Sequence, residues 1–239
     1  MAPQPFEGFH SSLKNYFNHD TLSDAVVCYN GQEFKVHRLI LSAHSKCFTK
    51  QLDGPWKESS EKVIKIEDFD ASVVEAMLHF MYNFDFTNVS ATSTMVFDAQ
   101  VYQIADKYDI PALKAHAKDK FGTAINTGWS MDDFSLAITV VYNSTPPRDR
   151  GLRDLVVETS HENIDTLIGQ DGFCEVLRAT TDFAADLVPF LCGKQVETTQ
   201  SYKYPSCARV VHFDFIGGQH YCPKCGGSRS NWNVYQASC

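Results

Sequence analysis

Apolar residues recur along this chain with two periods, and the switches between them mark its elements. Phe9, Leu13 and Phe17 lie four residues apart, which places them on one face of a short amphipathic helix. Ala25-Val26-Val27-Cys28-Tyr29 and Glu33-Phe34-Lys35-Val36-His37 flank Asn30-Gly31, a dipeptide that tolerates positive φ at both centres of a type I′ turn, so a β-hairpin is expected. Arg38 to Phe48 carries Leu41, Ser45 and Phe48 at helical spacing and reads as helix, with Ser45 inside it. A polar stretch containing Gly54-Pro55 and Trp56-Lys57-Glu58 reads as loop, and Val63-Ile64-Lys65-Ile66 as a third short strand.

From Asp70 the period is helical throughout. Asp70 is placed to cap a helix striped by Val73, Met77, Phe80 and Met81, and Phe97, Val101, Ile104 and Tyr108 stripe the next. Pro111 stands where a third helix begins, because its missing N–H is no loss at the first helical position. Ser130-Met131-Asp132-Asp133 looks like a capping box for a helix with Phe134, Ile138 and Val141 inward, and Thr145-Pro146-Pro147 breaks it. Two more helical stretches follow. One runs from Arg148 to about His161 with Leu152, Leu155 and Val156; the other runs from about Gly172 to Cys192 with Phe173, Val176, Leu177, Leu187 and Leu191, and Pro189 should kink or shorten it. Gly193 to Ser201 is polar and reads as a linker. Beyond it Val211, Phe213 and Phe215 alternate with His212 and Asp214, and Gly217-Gly218 turns the chain toward Tyr221 and Cys222 in an expected small hairpin. No internal repeat of about 20 to 50 residues is present, which sets solenoids and propellers aside.

Composition narrows the class. With 239 residues, 44% of them hydrophobic and 21% charged, the chain suits one medium domain with an appendage, and neither collagen nor wholesale disorder. It has no apolar run of about 18 residues, and Met1-Ala2-Pro3-Gln4-Pro5-Phe6 has neither a basic n-region nor an apolar h-region; an intracellular protein of cytoplasm or nucleus, without membrane span, is expected. Net charge is −4 over residues 1–120, −7 over 121–200 and +3 over 201–239. An acidic body repels phosphate backbones, so nucleic acid is an unfavoured partner for all but the tail. Cys28, Cys47, Cys174 and Cys192 stand singly in apolar surroundings and read as small buried hydrophobes, whereas Cys207, Cys222, Cys225 and Cys239 crowd the last 33 residues.

The order of helix, Asn-Gly hairpin, helix, strand and helical run is accompanied by particular residues. They are Asp24 before the first strand, Phe34-Lys35-Val36-His37-Arg38, Leu41, Ser45, Phe48, Glu58, Ile66, Phe80 and Tyr82. In this arrangement, from about Thr21 to Phe121, the chain resembles the BTB/POZ domain. Ala105-Asp106-Lys107-Tyr108-Asp109-Ile110-Pro111-Ala112-Leu113 looks like the end of that domain as fungal-type members write it. The resemblance implies an α+β fold, a small sheet flanked by a helical cluster over residues 21–122. An N-terminal helix in residues 1–20 precedes it; a helical extension over 123–192, a linker over 193–201 and a cysteine-rich β-hairpin tail over 202–239 follow. It also implies a non-enzymatic scaffold that binds protein partners, commonly as a homodimer in which the N-terminal helix crosses to the partner with Phe9, Leu13 and Phe17 as its buried face. The same stripe could instead cover its own domain. Some members of the family are substrate adaptors of cullin-type ubiquitin ligases through an apolar-x-Glu motif, which Trp56-Lys57-Glu58 looks like.

The tail carries the residues that look like chemistry. Cys222-Pro223-Lys224-Cys225-Gly226-Gly227 is a zinc knuckle, and Tyr204-Pro205-Ser206-Cys207 would be its partner had Tyr204 been Cys. Cys207, Cys222 and Cys225 are therefore candidates to hold a structural zinc, with the fourth ligand His220, Cys239 or His212 in that order; the alternative is a degenerate zinc ribbon that has lost its metal and rests on Val211, Phe213 and Phe215 packing. Asp24, His37 and Ser45 occur in the chain order of a serine-protease triad, but no nucleophile elbow or oxyanion motif accompanies them, and no Gly-rich phosphate loop occurs. A contrasting function is a nucleic-acid-associated regulator, with Arg209, Lys224 and Arg229 meeting phosphate and Tyr221, Trp232 and Tyr235 stacking on bases.

Overall fold

A computed structural model describes residues 5–55, 57–90, 92–128, 131–192, 200–203, 210–213, 220–221 and 228–229. Two compact units divide at Ala184. The first opens with α1 (Pro5–Leu13), a single 3-10 turn (Lys14–Tyr16) and the strands β1 (Ala25–Tyr29) and β2 (Gln32–Val36). Tyr29 pairs with Gln32, leaving Asn30 at φ 42° and Gly31 at φ 80°, the two-residue turn that the Asn-Gly pair demands. Then come α2 (Arg38–His44), α3 (Lys46–Asp53), α4 (Lys57–Glu61) and β3 (Val63–Lys65), which joins β1 in parallel with Val27 opposite Ile64. The strand order is β2-β1-β3. Ala25, Val27, Tyr29, Phe34, Val36 and Ile64 turn inward from it.

The helix expected across Arg38–Phe48 is two helices. Ser45 is extended (φ −140°) and caps α3, its Oγ accepting from the Phe48 N–H at 3.0 Å and donating to the Tyr108 carbonyl at 2.5 Å. Helical spacing survives such a break because α3 restarts in phase, so the periodicity alone hides it. Likewise Trp56-Lys57-Glu58 is not all loop, since Lys57 and Glu58 open α4.

The core belongs to α5 (Ala71–Asn83), α6 (Thr94–Lys107), α7 (Pro111–Gly128) and α8 (Met131–Ser144). Phe97, Val101, Ile104 and Tyr108 are all buried, as their stripe requires, and α6 packs against α5, α7 and α8. Pro111 opens α7. Ser130 of the expected capping box lies outside the described residues. Beyond α9 (Arg150–Glu162) and a turn of helix α10 (Ile164–Leu167), the stretch expected as one helix is again two, α11 (Asp171–Ala179) and α12 (Thr181–Leu191). The break falls at Thr180 (φ −110°, ψ 79°), and Pro189 sits inside α12 near its end.

One polar tie fixes the extension to the first domain, and a second braces the extension within itself. Asp149 caps α9 by accepting from Gly151 N at 3.1 Å, and it also accepts from Tyr102 Oη of α6 at 2.7 Å and Lys114 Nζ of α7 at 2.6 Å. Burial pushes the Asp149 carboxyl up, but these three donors outweigh it and hold it below the usual carboxylate range. Arg153, 2% exposed, donates to the Thr145 hydroxyl at 3.0 Å and lies 4.3 Å over the Tyr142 ring, with Asp182 of α12 at 4.0 Å.

The second unit contains two antiparallel pairs, β4 (Gln200–Lys203) with β5 (Val210–Phe213) and β6 (His220–Tyr221) with β7 (Ser228–Arg229). The hairpin expected across Gly217-Gly218 is therefore replaced. Val211 pairs backward with Tyr202, and Tyr221 pairs forward with Ser228. The polar segment read as a linker ends in a strand at Gln200 because pairing, not polarity, decides a short edge strand.

Glycine substitutions discriminate the α6–α9 tie from ordinary helix surface. A Cβ on Gly151 would collide with Tyr102 Oη, whereas one on Gly122 in α7 meets only Leu155 Cδ1 at 3.8 Å. Gly151→Ala is expected to cost about 1–3 kcal/mol by forced overpacking, and Gly122→Ala to gain up to about 1 kcal/mol from helix propensity, both read by urea denaturation. Equal effects of the two substitutions would contradict this arrangement.

Candidate partner-binding surface

Asp24, His37 and Ser45 do not converge on one another. Asp24 Oδ1 accepts from the Arg38 N–H at 2.7 Å, fixing the start of α2. Tyr82 Oη accepts from the His37 N–H at 3.0 Å and donates to His37 Nδ1 at 2.9 Å, while His37 Nε2 donates to the Thr21 carbonyl. With Ser45 bound to Tyr108, all three residues hold loops and helix ends together. Burial pushes the phenol of Tyr82 up to about 12.

Glu58 stands in the first turn of α4, half-buried, between α3 and β3. Trp56, its companion in the motif, lies outside the described residues. The elements on either side of α4 line a cavity of about 380 Å³ through Cys47 and Gln51 of α3, Lys65 of β3, Lys107 of α6 and Tyr108. Gln51 Oε1 is buried there without a hydrogen-bond partner, and burial pushes the Cys47 thiol up, against thiolate character. A second hollow of about 290 Å³ adjoins it, lined by Tyr29, Asp70, Gln100 and Gln103. Glu67 and Asp68 line both hollows, and Lys107, which lines the first, is ion-paired to Asp68 and lies 5.4 Å from the Phe69 ring centroid. None of these polar neighbours was a candidate from sequence. Gln51, Gln100 and Gln103 carry no motif or charge that marks them in the sequence, and only the fold gathers them.

The stripe Phe9, Leu13 and Phe17 is divided by the structure. Phe17 stacks on Phe34 at 6.4 Å and tilts on Tyr82 at 5.5 Å, within its own domain, and Leu13 is half-buried. Phe9 is 62% exposed, and Leu39 on α2 is 77% exposed. What holds α1 to α5 is His10, whose Nε2 donates to the Asn83 carbonyl at 2.9 Å and whose ring lies 5.2 Å from Phe84. Phe84 itself caps α5 in the left-handed region at φ 53°, an unfavourable conformation for an aromatic residue. Its ring is also 5.5 Å from that of His44, whose imidazole is pushed down by burial.

In the second unit His220 lies in β6, next to Cys222, and His212 lies in β5. Cys207, Cys222, Cys225 and Cys239 lie outside the described residues, as do Arg209, Lys224, Trp232 and Tyr235 of the basic tail. The connection joining β4 to β5 spans the position of Cys207, and that joining β6 to β7 spans Cys222 and Cys225. Among the described residues no group of three or more His, Cys, Asp or Glu could hold a metal ion, and no helix is long and apolar enough to cross a membrane.

Comparison with known proteins bears on the first unit. Residues 13–124 match the BTB/POZ domain family. A stretch of 101 residues, 42% of this chain, is 32% identical to Kelch-like protein 40 of Xenopus tropicalis and 31% identical to its Xenopus laevis counterpart, spanning 16% of the length of each. A BTB/POZ domain-containing protein of Arabidopsis thaliana is 26% identical over 155 residues, 64% of this chain and 70% of that one. Among solved structures, the BTB domain of human gigaxonin aligns at a TM-score of 0.39 and 20% identity, covering 50% of this chain and 94% of that one. The BTB domain of zebrafish PATZ1 aligns at 0.39 and 15%, covering 50% and 95%. Residues 13–124 of the chain thus match the BTB/POZ domain family, and the chain spans about a sixth of the length of the Kelch-like relatives.

The α1 contact makes a local prediction. Phe84→Ala removes the ring against which His10 and His44 rest, so residues 5–16 should exchange amide hydrogens about tenfold faster or more while the β1–β2 hairpin keeps its protection. Unchanged exchange in residues 5–16 would show that Phe84 does not anchor α1.

Proposed function

We propose that this chain, with a BTB/POZ domain at residues 13–124, is a non-enzymatic protein-interaction scaffold that recruits a cullin-type ubiquitin ligase through the α3–α4–β3 surface. The observation that carries the reading is the placement of Glu58. It stands at the start of α4, between α3 and β3, whose residues Cys47, Gln51 and Lys65 line a hollow of about 380 Å³. Trp56, two residues before it, is the residue type that dominates interface energetics, since it brings large contact area at small entropic cost. Kelch-like proteins among the relatives accord with this reading, although the shared stretch covers only 16% of their length.

The scaffold is proposed to act as a homodimer. Phe9 on α1 and Leu39 on α2 offer exposed apolar side chains, and a second copy is the partner proposed to cover them. Binding of the purified chain to a cullin N-terminal domain, with molar mass by light scattering in the same run, tests both claims. Micromolar affinity or better and a mass of two chains are expected. Trp56→Ala with Glu58→Ala should weaken binding at least about a hundredfold while circular dichroism is unchanged. Equal affinity of wild type and double variant would remove the adaptor role and leave the dimer to stand or fall on its mass.

For the tail we propose one structural zinc held by Cys207, Cys222, Cys225 and His220. The support is the knuckle spacing together with the strand pairings, which set Cys207 in one ribbon's connection and Cys222 and Cys225 in the other's. Metal analysis of protein purified without chelator should give one zinc per chain, falling below a tenth in Cys222→Ser with Cys225→Ser. A metal-free wild type would refute the site.

A further inference from the structure

Asp98 has no part in the surface described above. It lies on α6 with 2% of its area exposed, and its Oδ2 atom is buried without a hydrogen-bond partner. A carboxylate in such surroundings has lost its water and gained nothing in return, which is costly for the charged form and tolerable for the neutral one. Burial pushes this carboxyl up to about 7, against the opposing pull of Lys120 on α7. Lys120 is the charged group that acts on it; Glu75 of α5 and Asp133 of α8 stand on the other helices packed against α6. The Lys120 ammonium is already engaged, 3.0 Å from Asp85 Oδ1 and 4.9 Å from the Phe86 ring centroid. It cannot serve Asp98 fully without leaving them.

The position of Asp98 along α6 gives its protonation a consequence. One turn later on the same face is Tyr102, whose hydroxyl ties α6 to Asp149 at the start of α9. One turn earlier is Met95, which lines an open cavity of about 470 Å³ with Ala124 and Thr127 of α7 and Asp133 of α8. Side chains on a helix lean toward its N-terminus, the end of α6 at which that cavity lies.

We propose that Asp98 is a proton-binding site that couples pH to the closure of α6 against α7 and the helical extension. The protonated carboxyl suits the dry interface, and the ionised one is relieved only when α6 opens and admits water. The sign follows from linkage. The closed form binds the proton more tightly than the opened form, in which the carboxyl is ordinary, so closure is strongest below the ordinary carboxyl value. It weakens as pH rises toward the raised value and changes no further above it.

Two measurements on the full chain test this. Carboxyl carbon NMR of wild type should place the Asp98 midpoint near neutrality, and removing the opposing cation in Lys120→Met should move it higher. Amide protection in α6 and at the start of α9, corrected for intrinsic exchange, should fall by up to about tenfold per pH unit between roughly pH 5 and 7, then level off. Asp98→Asn should abolish that slope. A midpoint near pH 4 overturns the proposal even if the Asn variant fails to fold, and so does an equal slope in wild type and Asp98→Asn.

Discussion

Nine of the fourteen residues of α6 are buried, and a helix so nearly without a solvent face has to be enclosed on several sides. Its neighbours α5 and most of α7 lie within the residues that match the BTB/POZ family, whereas α8 lies beyond residue 124, the end of that match. Enclosure of Phe97, Val101 and Ile104 thus draws the start of the extension into the same hydrophobic core, and the Asp149 tie to Tyr102 and Lys114 locks what burial has brought together. Burying each such side chain contributes about 1.5–3 kcal/mol, more than any of the surface ion pairs, whose worth is about 0–1 kcal/mol. The extension is therefore held by the domain's own central helix.

Elements whose signal is local were readable in the sequence. Asn30-Gly31 determined its turn because few dipeptides accept two positive φ values, and Pro111 marked a helix start for a reason carried in its own ring. The breaks at Ser45 and Thr180 were hidden, since a helix that stops and restarts in phase keeps its apolar spacing. The pairing of β4 with β5 was hidden for another reason. Four-residue strands carry too little pattern to say which neighbour they choose, and a polar run looks like linker until a partner satisfies its backbone.

The candidate surface shows the same division. Trp56 and Glu58 were identifiable as a pair only because Trp56-Lys57-Glu58 looks like the family's apolar-x-Glu motif, but α4 and the two hollows were not, because Gln51, Lys65, Lys107 and Gln100 come from four separate places in the chain. The N-terminal stripe was legible as amphipathic and silent about whose surface it covers. The structure gives Phe17 to its own domain and leaves Phe9 outward, so a single stripe is divided along its length.

The parallel joining of β3 to β1 carries a consequence for how the chain reaches this state. The β1–β2 hairpin closes through two residues and can form within microseconds, whereas Val27 must wait for Ile64, after α2, α3 and α4 have been traversed. As the chain leaves the ribosome, β1 therefore presents one unpaired edge until Ile64 emerges. The sheet is then completed by a long-range contact whose loop-closure entropy makes it slow, and the apolar α6 follows still uncovered until α7 and α8 arrive. Chaperones acting during synthesis would find their work in that interval, on an exposed strand edge and a naked helix, well before any partner protein is met.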